Sequence, residues 1–120
     1  MHVGKPNIIA SVAQARAQDI PGDMADRVAL ADVVELRLDA LAPGDLEEGE
    51  RLVETAAQWG RPLLLTPRSP VEGGLQRWSD PDRQALLERL WGKEGVHYAD
   101  LELLSSRKLL EWALEEAPAG

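Results

Sequence analysis

Glu35, Arg37 and Asp39 alternate with Val34, Leu36 and Leu38 in residues 32–39. An extended chain turns successive side chains to opposite faces. Three charges of alternating sign therefore share one face with Val33, and three apolar side chains share the other. A carboxylate accepts hydrogen bonds from hydroxyls, and a guanidinium presents a fixed fork of donors to oxygen-rich groups. Such a face could hold a polyhydroxylated acid, or its charges could pair with each other as a structural ion pair. Arg68 follows the run Leu63-Leu64-Leu65-Thr66 and shares a face with Leu64 and Thr66 if the chain stays extended through Pro67. Asp100 and Glu102 share a face with Tyr98 in residues 97–103. Two acids alone could suit a hard cation, but an internal hydrogen-bond network is the expectation, with no metal and no cofactor.

Charges on single strand faces need a setting. A parallel strand covered by helices on both sides should be apolar throughout. Charged faces on such strands imply a polar cavity, and in a parallel barrel the strand C-terminal ends line the cavity where chemistry sits.

The remaining pattern supplies those strands and their connections. Residues 7–13 form a short apolar run that fits a buried strand, with Ser11 near its C-terminal end. Pro21-Gly22-Asp23 signals a turn and helix start, with apolar positions recurring as far as Ala31. Asp45 is placed to cap a second helix, with Glu47 and Glu48 in its first turn and Gly60 as its stop. Pro62 and Pro67 bracket the third strand. Residues 69–74 form a loop ending Glu72-Gly73-Gly74, and Ser79 starts a third helix with Leu86, Leu87, Leu90 and Trp91 on its buried face. Ser105 or Ser106 can cap a last helix. The four tryptophans, Trp59, Trp78, Trp91 and Trp112, fall on or beside helices and are expected to anchor packing.

Strict β-α alternation implies a parallel sheet with right-handed crossovers. A small open sheet fits the length, and so does part of a barrel. A closed eight-stranded barrel takes about 250 residues, so 120 residues supply about half. No glycine-rich phosphate loop follows the first strand. The one-sided charges favour a single (β/α)4 unit over residues 1–120, half of a TIM barrel. Half a barrel leaves two strand edges open, so we expect a homodimer or the remainder of the barrel to cover them.

Composition narrows the class further. The net charge of −8 argues against non-specific nucleic-acid binding, which needs a basic footprint. With no cysteine there is no disulfide or thiolate metal site. No apolar run approaches membrane-spanning length. A cytoplasmic protein with no membrane association is expected.

Taken in series, Val34-Glu35-Leu36-Arg37-Leu38-Asp39, Leu65-Thr66-Pro67-Arg68 with Glu72-Gly73-Gly74, and Tyr98-Ala99-Asp100-Leu101-Glu102 resemble the N-terminal half of type I 3-dehydroquinate dehydratase. That family builds (β/α)8 barrels and converts 3-dehydroquinate to 3-dehydroshikimate and water in the shikimate pathway. The resemblance implies that Glu35, Arg37, Arg68 and Ser11 contact the substrate. It implies that Glu72 is an auxiliary acid near a catalytic histidine, and that Asp100 and Glu102 are more structural. Pro67 departs from the bulkier residue expected before the arginine. The family's Schiff-base lysine and its proton-moving histidine have no counterpart here. Lys5, Lys93 and Lys108 fall in an arm, at a helix end and in a helix, and His97 begins its strand at the wrong end. The resemblance thus implies that this chain orients substrate without supplying the nucleophile. A truncated homologue acting as a ligand-binding or oligomerising half-barrel is the alternative, and another Schiff-base barrel, such as a class I aldolase relative, is a third possibility.

Overall fold

Chain order and spatial order coincide in the sheet. The computed structural model describes residues 8–68 and 74–99. Strands β1 (Ile9–Val12), β2 (Val33–Arg37), β3 (Leu63–Thr66) and β4 (Val96–Ala99) lie in the order β1-β2-β3-β4, and every neighbouring pair is parallel. Helices α1 (Met24–Arg27), α2 (Leu46–Ala57) and α3 (Asp80–Leu90) occupy the three crossovers. A sheet that adds each strand at the same edge by right-handed crossovers carries all its helices on one face. A doubly wound sheet reverses direction and carries them on both. The observed order is that of a barrel opened between β1 and β4.

Burial follows from that order. Val12, Val34, Leu36, Leu63 and Leu65 face the helices and form one core with Leu52, Val53 and Ala56 of α2 and Leu86, Leu87 and Leu90 of α3. Removing a leucine or valine side chain from water contributes about 1.5–3 kcal/mol, so this layer drives folding. The opposite face differs: Ile9 and Tyr98 are each 51 % exposed, Ser11 is exposed, and Glu35 and Arg37 are half-buried.

Local chemistry sets the helix ends. Asp45 Oδ1 accepts from the Glu48 N–H at 3.1 Å, capping α2. Ser79 Oγ accepts from the Asp82 N–H at 3.2 Å, capping α3. After α2, Gly60 adopts a φ of 75°, a left-handed conformation that costs glycine little.

Three expectations are corrected. The first helix is only four residues long. Asp23 pairs with Arg27 at 3.0 Å, and although Val28 and Ala31 are buried the chain beyond Arg27 continues in tighter turns, with the Ala31 N–H donating to the Val28 carbonyl at 2.9 Å. Strand β2 stops at Arg37, because Leu38–Ala40 forms a 3-10 turn that sends both Leu38 and Leu41 into the core. Strand β4 begins at Val96, and the register shifts between Leu63 and Leu64, leaving His97 as an extra residue between the Val96 and Tyr98 pairings. The stretch from Asp100 onward, with the expected last helix and Trp112, lies outside the described residues. Trp78 is a packing anchor as expected, 3 % exposed, with Nε1 donating to the Leu41 carbonyl at 2.9 Å.

Candidate active-site face

Ser11 and Glu35 stand opposite each other in the register of β1 and β2. Side chains paired in this way point to the same face, and the Ser11 hydroxyl donates to Glu35 Oε1 at 2.6 Å. Thr66, one strand further and opposite Arg37, donates its hydroxyl to Glu35 Oε2 at 2.8 Å. Both carboxylate oxygens are thus engaged from flanking strands, and the group is held in one orientation across β1, β2 and β3.

Arg37 faces the same side but does not pair with Glu35. Its Nε donates to Asp39 Oδ1 at 3.0 Å and its Nη2 to Asp39 Oδ2 at 2.8 Å. The 3-10 turn brings Asp39 back against Arg37. In a continued strand the two would stand about 6.6 Å apart along the chain. Asp39 Oδ2 also accepts the Leu75 N–H at 2.8 Å. The hydrogen bonds to Asp39 hold the Arg37 guanidinium above its ordinary value against partial burial, and the charges of Asp39 and Glu35 act in the same sense. Burial pushes the Asp39 carboxyl up, but the bonds from Arg37 and Leu75 outweigh it and leave it below the ordinary value. The arginine's side chain remains 21 % exposed and that of Asp39 is fully enclosed.

Arg68 follows Pro67, is half-buried, and keeps its Nε out of solvent with no hydrogen-bond partner among the described residues. The backbone before it is braced from α3. Arg83 is 1 % exposed, donates Nη1 to the Pro67 carbonyl at 3.2 Å, and pairs with Asp80. On the other flank, Glu48 of α2 accepts the Ala17 N–H at 2.8 Å, fixing the connection that follows β1. That bond, above the smaller opposing effect of burial, holds the Glu48 carboxyl below its ordinary value, with Arg51 assisting.

The structure therefore brings Ser11, Glu35 and Arg37 onto one polar face at the C-terminal half of the sheet. Glu72 lies outside the described residues, as do Asp100, Glu102, Lys5, Lys108 and His2. His97 stands at the N-terminal end of β4, with Nδ1 2.8 Å from the Gly95 carbonyl. Lys93 precedes β4 and pairs with Glu50 at 3.0 Å, at the far end of the sheet from Glu35. A depression of about 390 Å³ lined by Val53, Glu54, Ala57, Gln58, Lys93 and Glu94 also lies at that far end. Sequence reasoning does not single out two features of the face. Thr66 shares a strand face with Arg68, which is the available signal for it. The turn that recruits Asp39 has no comparable one.

The family model for type I 3-dehydroquinase matches residues 8–118. The chain belongs to the type I 3-dehydroquinase family. It is 36% identical over 91 residues to a 3-dehydroquinate dehydratase of Methanosarcina barkeri, covering 74% of this chain and 38% of the relative. It is 29% identical over 120 residues to that of Enterococcus faecalis, covering 95% of this chain and 47% of the relative. A solved structure of the Enterococcus faecalis 3-dehydroquinate dehydratase superposes with a TM-score of 0.79 at 28% identity, over 95% of this chain and 49% of that one. The Clostridium difficile type I enzyme shares the fold, with a TM-score of 0.74 at 23% identity over 93% of this chain and 46% of that chain. This chain of the type I 3-dehydroquinase family thus spans half or less of the length of these relatives, and its four parallel strands correspond to part of a TIM barrel. Among the described residues no helix is long and apolar enough to cross a membrane.

Proposed function

We propose that this chain forms the substrate-orienting half of a type I 3-dehydroquinate dehydratase, acting on 3-dehydroquinate as a cytoplasmic shikimate-pathway lyase. The observation that carries the proposal is the Ser11–Glu35–Thr66 hydrogen-bond chain beside Arg37 on the open face of the sheet. Glu35, fixed from two sides, accepts from a ring hydroxyl. Arg37 and Arg68 donate to substrate oxygens, and Ser11 completes the polar rim. Glu72 assists the proton-transferring histidine of the complementary half. In this division of labour a lysine of that half forms an imine with the substrate ketone. The imine draws electrons, the neighbouring carbon loses its proton, hydroxide departs as water, and hydrolysis of the imine returns the water lost in forming it and frees lysine and product. The present half contributes positioning, which removes orientational entropy from the barrier. A second copy or the remaining strands of the barrel cover the free edges of β1 and β4.

The chain incubated with 3-dehydroquinate and borohydride, then weighed by mass spectrometry, should keep its unmodified mass. A reduced covalent adduct would overturn the division of labour. A titration with 3-dehydroquinate should perturb the resonances of Arg37 and Ser11, and no perturbation there would remove the substrate-holding role.

A further inference from the structure

Asp39 is 1 % exposed, and its oxygens serve two segments far apart in the sequence. Oδ1 accepts Arg37 Nε, while Oδ2 accepts both Arg37 Nη2 and the Leu75 N–H. A carboxylate enclosed this deeply must have its lone pairs occupied, so removing either donor disturbs the other. Its clamp takes the Nε–Nη2 edge of the guanidinium and leaves Nη1 outside. Leu75 follows the Glu72-Gly73-Gly74 stretch directly.

We infer that Asp39 is a positioning residue that couples two parts of the site. It fixes the fork of Arg37 toward the open face and anchors the backbone after Gly74 to the same oxygen. The aim of the arginine and the placement of the segment after the glycines then move together. The coupling rests on the proposed role of Arg37 only in that the arginine is taken to meet the substrate.

Hydrogen exchange on the nitrogen-labelled chain tests it. An amide has one oxygen, so Asp39→Asn cannot accept the whole fork, and exchange at the Arg37 Nε–H should rise about tenfold. Arg37→Gln touches no atom of Leu75, yet exchange at the Leu75 N–H should rise by about the same factor. Unchanged exchange at Leu75 in Arg37→Gln overturns the coupling, as does unchanged exchange at Arg37 in Asp39→Asn. Should Asp39→Asn fail to fold, Arg37→Gln, at a half-buried position, still decides the question through Leu75. Adding 3-dehydroquinate to the unaltered chain should slow exchange at both positions. Coupling in the variants without any response to 3-dehydroquinate would leave the clamp standing and remove the substrate reading instead.

Discussion

Glu35 receives hydroxyl donors from both neighbouring strands, Ser11 at 2.6 Å on β1 and Thr66 at 2.8 Å on β3. Its two oxygens still have lone pairs for a third donor, and they lie on the uncovered face. A substrate hydroxyl meeting this carboxylate would find it already oriented.

Glu35→Gln should therefore cost affinity as well as stability. A hydrogen bond to a charged group contributes about 1.5–3 kcal/mol, so binding of 3-dehydroquinate should weaken about tenfold or more. The amide keeps only one of the two acceptor oxygens, so the urea midpoint should also fall, by about 1–2 kcal/mol in stability. Titration calorimetry on both forms checks this, and equal affinities would contradict it.

The flanking hydroxyls should differ in weight. Thr66 is 1 % exposed and Ser11 is exposed. Thr66→Val leaves a half-buried oxygen with one donor fewer and should destabilise by about 1–2 kcal/mol. Ser11→Ala lets water replace the hydroxyl and should cost less than about 1 kcal/mol. Urea denaturation of the two variants ranks them, and the reverse order would refute the account.

Acid should loosen the site through Asp39 and Glu48. Both carboxyls lie below their ordinary values when folded. The stabilisation they confer is fully present above their unfolded values and is lost as pH falls through the folded ones. Unfolding by urea should thus become easier below the ordinary carboxylate range. In Asp39→Asn that acid-dependent decline should be shallower, and an identical pH profile would show that Asp39 does not carry it.

Arg83→Met should destabilise by about 1–3 kcal/mol, since it removes the donor to the buried Pro67 carbonyl while keeping most of the side-chain volume. The loss should also free the backbone that presents Arg68. Thermal unfolding reports the first effect. Faster amide exchange at Arg68 reports the second, and a variant unchanged in both would show that the brace does not act.

Much of the site is legible in the sequence. Apolar and polar alternation locates β2 and β3, and it places Glu35 and Arg37 together because side-chain direction in a strand depends only on parity. The register that sets Ser11 beside Glu35 is not legible, because residues 7–13 are an apolar run without alternation and a two-residue slip leaves every face unchanged. Arg37 and Asp39 share parity too, yet their pairing arises from a turn. The segment 38–40 turns because Leu38 and Leu41 both reach the core, a tertiary preference that overrides the local period. The expected extension of α1 to Ala31 fails even though the burial has helical spacing: Val28 and Ala31 are both buried, but the Ala31 N–H closes a tighter turn on the Val28 carbonyl at 2.9 Å.

The extra residue at His97 has a consequence for β4 as a whole. Val96 and Ala99 both pack against the helix-side core although they are three positions apart, an odd step that strict alternation forbids. The register shift between Leu63 and Leu64 absorbs the mismatch and resets the phase of the strand. Without it, Tyr98 would be driven among the helices and Ala99 would take its place on the open face. One residue of slack thus decides which chemistry the last described strand shows on the open face.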